Sequence, residues 1–417
     1  MSDGTVHIVG AGLAGLSAAV TLVCSGRKVV IHELARHAGG RCRSYFEPAL
    51  GLTIDNGNHL LLSGNSSAIS YLNTIGGRHL LDDPQHAEFA FCDLKSGERW
   101  TLRPNDGPLP WWVFAKNRRV PGTRAADYIR LASLLQSKAN DTITQRVDVR
   151  SPVFTRLMQP VLLAALNCDA SEGSAQLAAA VVRETLARGG QACRPLFAAH
   201  GLGPALIDSA LSFLGKRGAE VRFDHPLRSI ELGERNIRAL QFEDGTVELK
   251  ESDRLILAVP AWVARTLVRD LTVPTEYRSI CNAHFAIAPP ADLPKIMSVI
   301  NATTEWLFAF ENRLSVTVSS ADRFNEAERE PLARQIWAEV AKIANLPADL
   351  PPWQIVKERR ATFAATPEQN ALRPKPRTRW ENLILAGDWT DTGLPATIEG
   401  AIRSGEGAAK LAMSARF

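Results

Sequence analysis

The chain opens with Val6, His7, Ile8 and Val9, a short and mostly apolar run of strand type that stops at Gly10. From Leu13 to Cys24 apolar and small residues recur at helical spacing, and Ser25-Gly26 closes that segment. A second strand follows at 28–32, with Glu33 standing at its C-terminal end. This β-α-β opening predicts an α/β fold. Further along, Leu52 and Ile54 mark a short strand, and a mostly helical middle holds amphipathic helices over 127–136 and 175–186. A helix over 205–214 precedes strands at 226–230 and 254–260. Later come strands at 296–300, 307–310 and 314–319, and a helix near 326–344. A buried-strand run at 382–386 ends in Gly387-Asp388, and a last helix starts at about Thr397. There is no internal repeat.

Composition narrows the class without naming a function. At 417 residues and 45% hydrophobic, the chain can bury two substantial cores. A net charge of +4, from 48 basic and 44 acidic residues, gives no bulk signal for nucleic acid. Six cysteines (Cys24, Cys42, Cys92, Cys168, Cys193, Cys281) lie scattered, so neither a disulfide framework nor a metal site is expected. No apolar run approaches the roughly 18–20 residues that span a bilayer. The first strand begins too early to leave room for a secretory leader. The expectation is a cytoplasmic protein, at most peripheral on the inner face of the cytoplasmic membrane.

Candidate chemistry begins at the first turn, a G-x-G-x-x-G in register with strand, helix, strand and acid. Gly10 permits the tight turn, Gly12 lets a phosphate approach the backbone, and Gly15 lets helix pack on strand. The N–H groups of Leu13 and Ala14, at the helix N-terminus, face a diphosphate. Glu33 stands where a carboxylate bonds ribose hydroxyls, which counts against NADP at this site. NAD and FAD both remain open at this point. A Gly-Gly turn at Gly39-Gly40 brings backbone against the cofactor, and Arg41 can neutralise a diphosphate.

Gly39-Gly40-Arg41 after that acid resembles the two-dinucleotide-binding-domain flavoproteins, which include amine oxidases and phytoene desaturases. The resemblance extends to "HGLGP" and the return through 218–230, and to the 254–260 strand. It is most specific at "AGDWTDTGLPATIEGAIRSG". It implies a Rossmann-like FAD fold with a discontinuous α+β substrate domain. The cofactor domain would comprise 1–75, 200–265 and 375–417, and the substrate domain 76–199 (mainly helical) and 266–374 (strand and helix). It further implies that Leu227 offers backbone contacts to adenine and that Gly387-Asp388 holds the ribityl chain or diphosphate. The helix start at Thr397 and Ile398 would point N–H groups at the flavin pyrimidine, stabilising an anionic reduced ring. No cysteine follows Ala386, so the FAD would be non-covalent.

Among such flavoproteins the chain is most similar to the bacterial hydroxysqualene dehydroxylases of hopanoid synthesis, at "GAGLAGLSAA", "GGRCRS", "DNGNHLLL" and the C-terminal motif. The resemblance implies a C30 isoprenoid substrate, hydroxysqualene, reduced to squalene with loss of water, and a reductant that the sequence does not identify. Phytoene-type desaturation is the alternative. An amine oxidase is disfavoured by Thr397, where those enzymes place an aromatic side chain. A non-enzymatic prenyl-lipid carrier would not be expected to keep so complete a flavin-facing C-terminus. In this flavoprotein pattern 55–59 passes beside the flavin ring, with Gly57 and Asn58 as cofactor contacts. His59 is then a candidate acid for the departing hydroxyl, with Asp55 orienting nearby groups, because free imidazole titrates in a suitable range. His59 as a plain hydrogen-bond partner of flavin or backbone is the competing reading.

Two basic segments stay ambiguous. "PLPWWVFAKNRR" at 108–119 reads as a packed turn or as a membrane-facing lip. "RPKPRTR" at 373–379 reads as an extended solvated linker, with an electron-donor or phospholipid contact as the alternative.

Overall fold

A computed structural model describes residues 4–414. Its centre is a five-stranded parallel sheet in the order Leu383–Leu385, Arg254–Leu257, Val6–Val9, Val29–His32, Glu220–Arg222. Side-chain alternation assigns each face a cover. Val6, Ile8, Ile31, Ile256 and Ile384 point to one side, into a core shared with the helices Leu13–Cys24, Ser66–Ile75, Ser209–Lys216 and Ile398–Ser414. Val9, Leu255, Leu257, Leu383 and Leu385 point to the other, onto an antiparallel meander of Leu227–Leu232, Ile237–Phe242 and Gly245–Glu248. Between these two sheets lies a stack of three buried histidines. His7 Nδ1 is 3.1 Å from His32 Nε2, and His32 Nδ1 is 3.0 Å from His225 Nδ1. His225 Nε2 ends the row 2.9 Å from the Asp244 carboxylate.

A seven-stranded sheet forms a second layer, ordered Trp353–Phe363, Tyr277–Phe285, Leu314–Val318, Trp306–Ala309, Ile296–Ile300, Phe89–Asp93, Arg99–Leu102. Cys281, Ala283, Phe285, Leu314, Val316 and Val318 turn toward the helix Arg329–Ala344 and pack there around Trp337. The opposite face carries Asn282, His284, Ser315 and Thr317 along its middle, with Trp306 and Phe308 beside them. That polar face meets the 53–58 segment.

The middle of the chain is mainly helical, as expected, but carries strands that were not expected. The helices Ala125–Arg130, Gln159–Leu166 and Ala175–Glu184 are present, but Phe89–Asp93 and Arg99–Leu102 form a hairpin on the edge of the large sheet. Each strand is too short and too mixed to announce itself by period. The basic segment at 373–379 is extended, with Lys375, Arg377 and Arg379 exposed as a solvated linker requires, but Arg373 departs from that reading. Arg373 is buried and donates to the carbonyls of Asp388 and Thr390 and to Thr392 Oγ1. Arg377 bridges Ile384, and Pro376 accepts from Leu385 N–H at 2.8 Å. Unpaired backbone groups at the sheet edge recruit this segment while its other three cations stay in solvent. Among the described residues no helix is long and apolar enough to cross a membrane.

Candidate functional site

The glycine loop is built for close backbone approach. Gly10 adopts φ +104°, and a Cβ there would meet Ala258 O at 2.5 Å. A Cβ on Gly15 would lie 1.9 Å from Gly10 O, so the helix presses directly on the turn. Gly12 behaves differently: it is the N-cap of the Leu13–Cys24 helix, and a Cβ there meets nothing within 4 Å. No side chain caps that helix, so the first N–H groups, at Leu13, Ala14 and Gly15, keep no intrahelical partner. Glu33 grips the loop from the side, accepting from Ala11 N–H at 2.6 Å and Ala35 N–H at 2.9 Å. Leu227 begins its strand two residues beyond His225, whose N–H donates to Glu33 O at 2.9 Å. The meander is thereby tied to the same end of the loop.

A second glycine turn faces the first. Gly39 and Gly40 take φ of +107° and +54°, and Gly39 N–H donates to Ala11 O at 2.8 Å. A Cβ on Gly40 would find only Gly12 Cα, at 3.7 Å. Two bare backbone turns therefore oppose each other at an uncapped helix N-terminus, beside Arg41. A diphosphate needs such a cradle, and the residues present fit one.

Arg41 crosses to the C-terminal motif. Both Asp388 oxygens accept from its Nη2 at 2.8 Å, and Nη1 donates to Ala361 O. Burial works against the guanidinium charge, but the Asp388 carboxylate outweighs it and holds Arg41 charged more firmly than usual. Gly387 takes φ +149°, where a Cβ would strike the Trp389 indole at 2.4 Å. Its N–H donates to Ser404 Oγ at 2.9 Å, and Trp389 Nε1 donates to Val259 O at 2.9 Å. The ends of two parallel strands and the last helix are thus fixed together. Thr397 caps that helix, its Oγ1 accepting from Gly400 N–H at 3.0 Å, while the N–H groups of Ile398 and Glu399 lie within the unpaired first turn. Glu399 is buried and occupied: it accepts from Ser67 and Ala68 N–H at 3.0 and 2.9 Å, and from Arg403 at 2.9 Å.

The 55–59 segment separates into a rigid half and an open half. Asp55 accepts from Ser44 Oγ and from Leu202 N–H at 3.0 Å, and lies 3.7 Å from Arg313. Burial raises its pKa against these stabilising partners. It is turned to the chain packing behind the segment, toward Ser44, Leu202 and Arg313 rather than His59. Asn58 reaches Thr317 Oγ1 at 3.2 Å and shares Asn282 Oδ1 with it. A Cβ on Gly57 would touch Asn282 Nδ2 at 3.4 Å and His59 Nε2 at 3.6 Å, which puts the imidazole over this polar row.

His59 keeps accessible surface although protein encloses it, and Arg41 does the same with 42% of its side chain open. Both are therefore accessible to a bound molecule. Enclosure, reinforced by the Arg41 charge, pulls the His59 pKa down to about 4. This corrects the titration argument made from free imidazole: the ring is neutral at pH 7.

Four contributors were not read from the sequence: Asn282, Thr317, Glu358 and Arg373. Glu358 accepts from Asn56 Nδ2 at 3.3 Å and adds a negative charge near Arg41. Alternating polar residues in "CNAH" and "SVTV" were the available signal, because polar positions on one strand face need a polar partner.

Comparison with known proteins adds the family context. A family model described as flavin containing amine oxidoreductase matches residues 13–413. Hydroxysqualene dehydroxylase of Rhodopseudomonas palustris is 54% identical over 412 residues, spanning 99% of both chains. That of Sinorhizobium fredii is 51% identical over 409 residues, 98% of both. A 15-cis-phytoene desaturase of Glycine max is 22% identical, over 96% of this chain and 78% of its own. An oxidoreductase from Methanosarcina mazei shares the fold at TM-score 0.71 and 14% identity, covering 97% of this chain and 100% of the other. Cyclohexylamine oxidase from Brevibacterium oxydans does so at TM-score 0.66 and 16% identity, over 99% of both.

Proposed function

The chain belongs to the flavin containing amine oxidoreductase family, and within it to the hydroxysqualene dehydroxylases; we propose from that membership how its residues reduce hydroxysqualene to squalene. The activity is that of an FAD-dependent oxidoreductase. Hydroxysqualene, a hydride and one proton give squalene and water. The carrying observation is 54% identity maintained across 99% of both chains.

When bound, reduced FAD would supply the hydride. Gly10, Gly12, Leu13, Ala14 and Gly15 would hold the diphosphate on backbone N–H groups, with Gly39, Gly40 and Arg41 opposite. Glu33 would receive the ribose, and Leu227 would give backbone contact to the adenine. Gly387 and Asp388 would hold the ribityl chain or diphosphate, Gly57 and Asn58 would contact the flavin, and the helix start at Thr397 and Ile398 would serve its pyrimidine. Binding would be non-covalent. The division into cofactor segments 1–75, 200–265 and 375–417 and substrate segments 76–199 and 266–374 accompanies this assignment.

The allylic hydroxyl leaves as water. His59, neutral at rest, would hydrogen-bond the departing oxygen and relay to it a proton taken from solvent, one ring nitrogen giving its proton as the other receives one, so that the ring ends neutral. Asp55 is a positioning residue that fixes the backbone leading to it. The reductant comes from outside the chain. A substrate that is hydrocarbon along nearly its whole length favours a cytoplasmic enzyme in peripheral contact with the inner membrane face.

The test is anaerobic turnover with photoreduced FAD and hydroxysqualene. Squalene is expected, and its absence rejects the reading. Bleaching of oxidised flavin by phytoene with formation of a desaturated product would select the desaturase alternative.

A further inference from the structure

The segment 108–130 is built to present apolar side chains outward. In the short Trp111–Phe114 turn, Trp112 and Val113 are buried while Trp111 and Phe114 are each 65% exposed. Trp112 packs edge-on against Tyr128 at 5.1 Å, and Tyr128 Oη accepts from Val120 N–H at 3.0 Å. These inward anchors lock the turn to the Ala125–Arg130 helix, on which Ile129 is 70% exposed. Leu109, at 61%, extends the same patch along the chain. Folding would bury such residues if the fold alone decided their place. Here their neighbours are buried and they are held out.

The charge of this segment is equally one-sided. Lys116, Arg118, Arg119, Arg124 and Arg130 face a single carboxylate, Asp127, between 108 and 130. That excess equals the +4 of the whole chain, so the remainder is balanced. Arg118 and Arg119 spend donors on the carbonyls of Arg103 and Val113, which leaves their charge uncompensated. Asp127 is engaged by Arg124 N–H at 2.7 Å. Among the described residues these five cations form no ion pair with a carboxylate.

Exposed aromatics in a segment rich in uncompensated cations match an anionic lipid surface, where indole and phenyl rings favour headgroup depth and cations meet phosphate. We propose that Leu109, Trp111, Phe114 and Ile129, with the surrounding cations, form the surface by which this protein docks on an anionic bilayer. This deepens the peripheral contact proposed above, yet it does not need the substrate assignment. An acidic protein partner would satisfy the charges but would be expected to provide an apolar pocket for the rings, and is the competing outcome.

The test uses full-length, FAD-loaded protein and vesicles of phosphatidylcholine with or without phosphatidylglycerol. Co-sedimentation should depend on phosphatidylglycerol and weaken with salt. Trp111→Ser with Phe114→Ser should lower vesicle affinity at least tenfold, and Lys116→Glu with Arg124→Glu and Arg130→Glu should remove the phosphatidylglycerol dependence. All variants should retain flavin content and turnover of detergent-dispersed hydroxysqualene. The proposal is overturned if wild-type protein ignores both vesicles or the variants sediment like wild type. It is also overturned if the variants lose only a self-association or protein contact seen by light scattering. Loss of turnover with vesicle binding intact would strike the substrate reading instead.

Discussion

Replacing Gly12 and Gly15 separately by alanine should divide cofactor binding from folding. The Gly12 backbone, at φ −76° and ψ 179°, suits any residue, and its added methyl meets no protein atom within 4 Å. Alanine is a slightly poorer helix cap than glycine but leaves the unfolded chain less freedom, so the net change should stay within about 0.5 kcal/mol. The cost should appear only with FAD, because the methyl stands where backbone must approach the diphosphate. Losing one charge-assisted hydrogen bond costs about 1.5–3 kcal/mol, or at least tenfold in Kd. At Gly15 the methyl lies 1.9 Å from Gly10 O, against a normal carbon–oxygen contact of about 3.2 Å. Relief needs a shift of about an ångström between a helix and the sheet it is fused to, which overpacking data price at about 1–3 kcal/mol or more. That exceeds the roughly 1 kcal/mol alanine gains in a helix. Thermal melts of flavin-stripped proteins and FAD titrations by fluorescence would separate the two. A Gly12→Ala protein with wild-type Kd, or a Gly15→Ala protein with wild-type melting, would refute the geometry.

Other outcomes follow from single residues. His59→Ala should keep its flavin yet slow single-turnover product formation by about 10²-fold or more; an unchanged rate removes His59 from the reaction. With its pKa near 4, His59 should add no inflection between pH 6 and 8, and a rate step at 6.5 traced to this residue would contradict its enclosure. Glu399→Gln should cost about 1–3 kcal/mol of stability, since it weakens the cap on the Ser66–Ile75 helix, while turnover per bound flavin stays unchanged. A selective loss of turnover would instead make Glu399 an acid. His32 and His284 are fully buried, with pKa pulled down to about 3, in both cases first by burial, then by His7 and His225 or by Arg313. Both stay neutral when folded and take up protons on unfolding. Their contribution is complete above pH 6.5 and drains as pH falls toward 3, by about 2 kcal/mol per histidine at pH 5. An equal urea midpoint at pH 7 and 5 would disprove this.

Sequence legibility followed the ratio of local to distant causes. The first β-α-β unit was readable because glycine geometry, strand period and helix period act within 30 residues of one another. The strands at 296–300, 306–309 and 314–318 were readable because their outer face packs uniformly apolar side chains on the Arg329–Ala344 helix. The partner strand Tyr277–Phe285 was missed because Ser279, Asn282 and His284 break its apolar run, and their partners lie on other elements: Asp322 for Ser279, Ser315 for His284, and Asn56 and Asn58, more than 200 positions away, for Asn282. Trp353–Phe363 was hidden by its four charged residues at 357–360. At the site, Arg41 and Asp388 were each read as candidate cofactor ligands, but no local pattern could announce that they grip one another. Arg373 looked solvated for the same reason: the carbonyls that take its donors are formed by a turn that only the fold creates.

The parallel sheet has one further consequence, for biosynthesis. Its strand Leu383–Leu385 covers the edge of Arg254–Leu257, and Asp388 just beyond reaches Arg41 across 347 residues. A ribosome extrudes these partners at opposite ends of its work. Until the last stretch emerges, the nascent chain shows a bare apolar edge and an Arg41 without its carboxylate partner. That interval is when chaperones have most to shield.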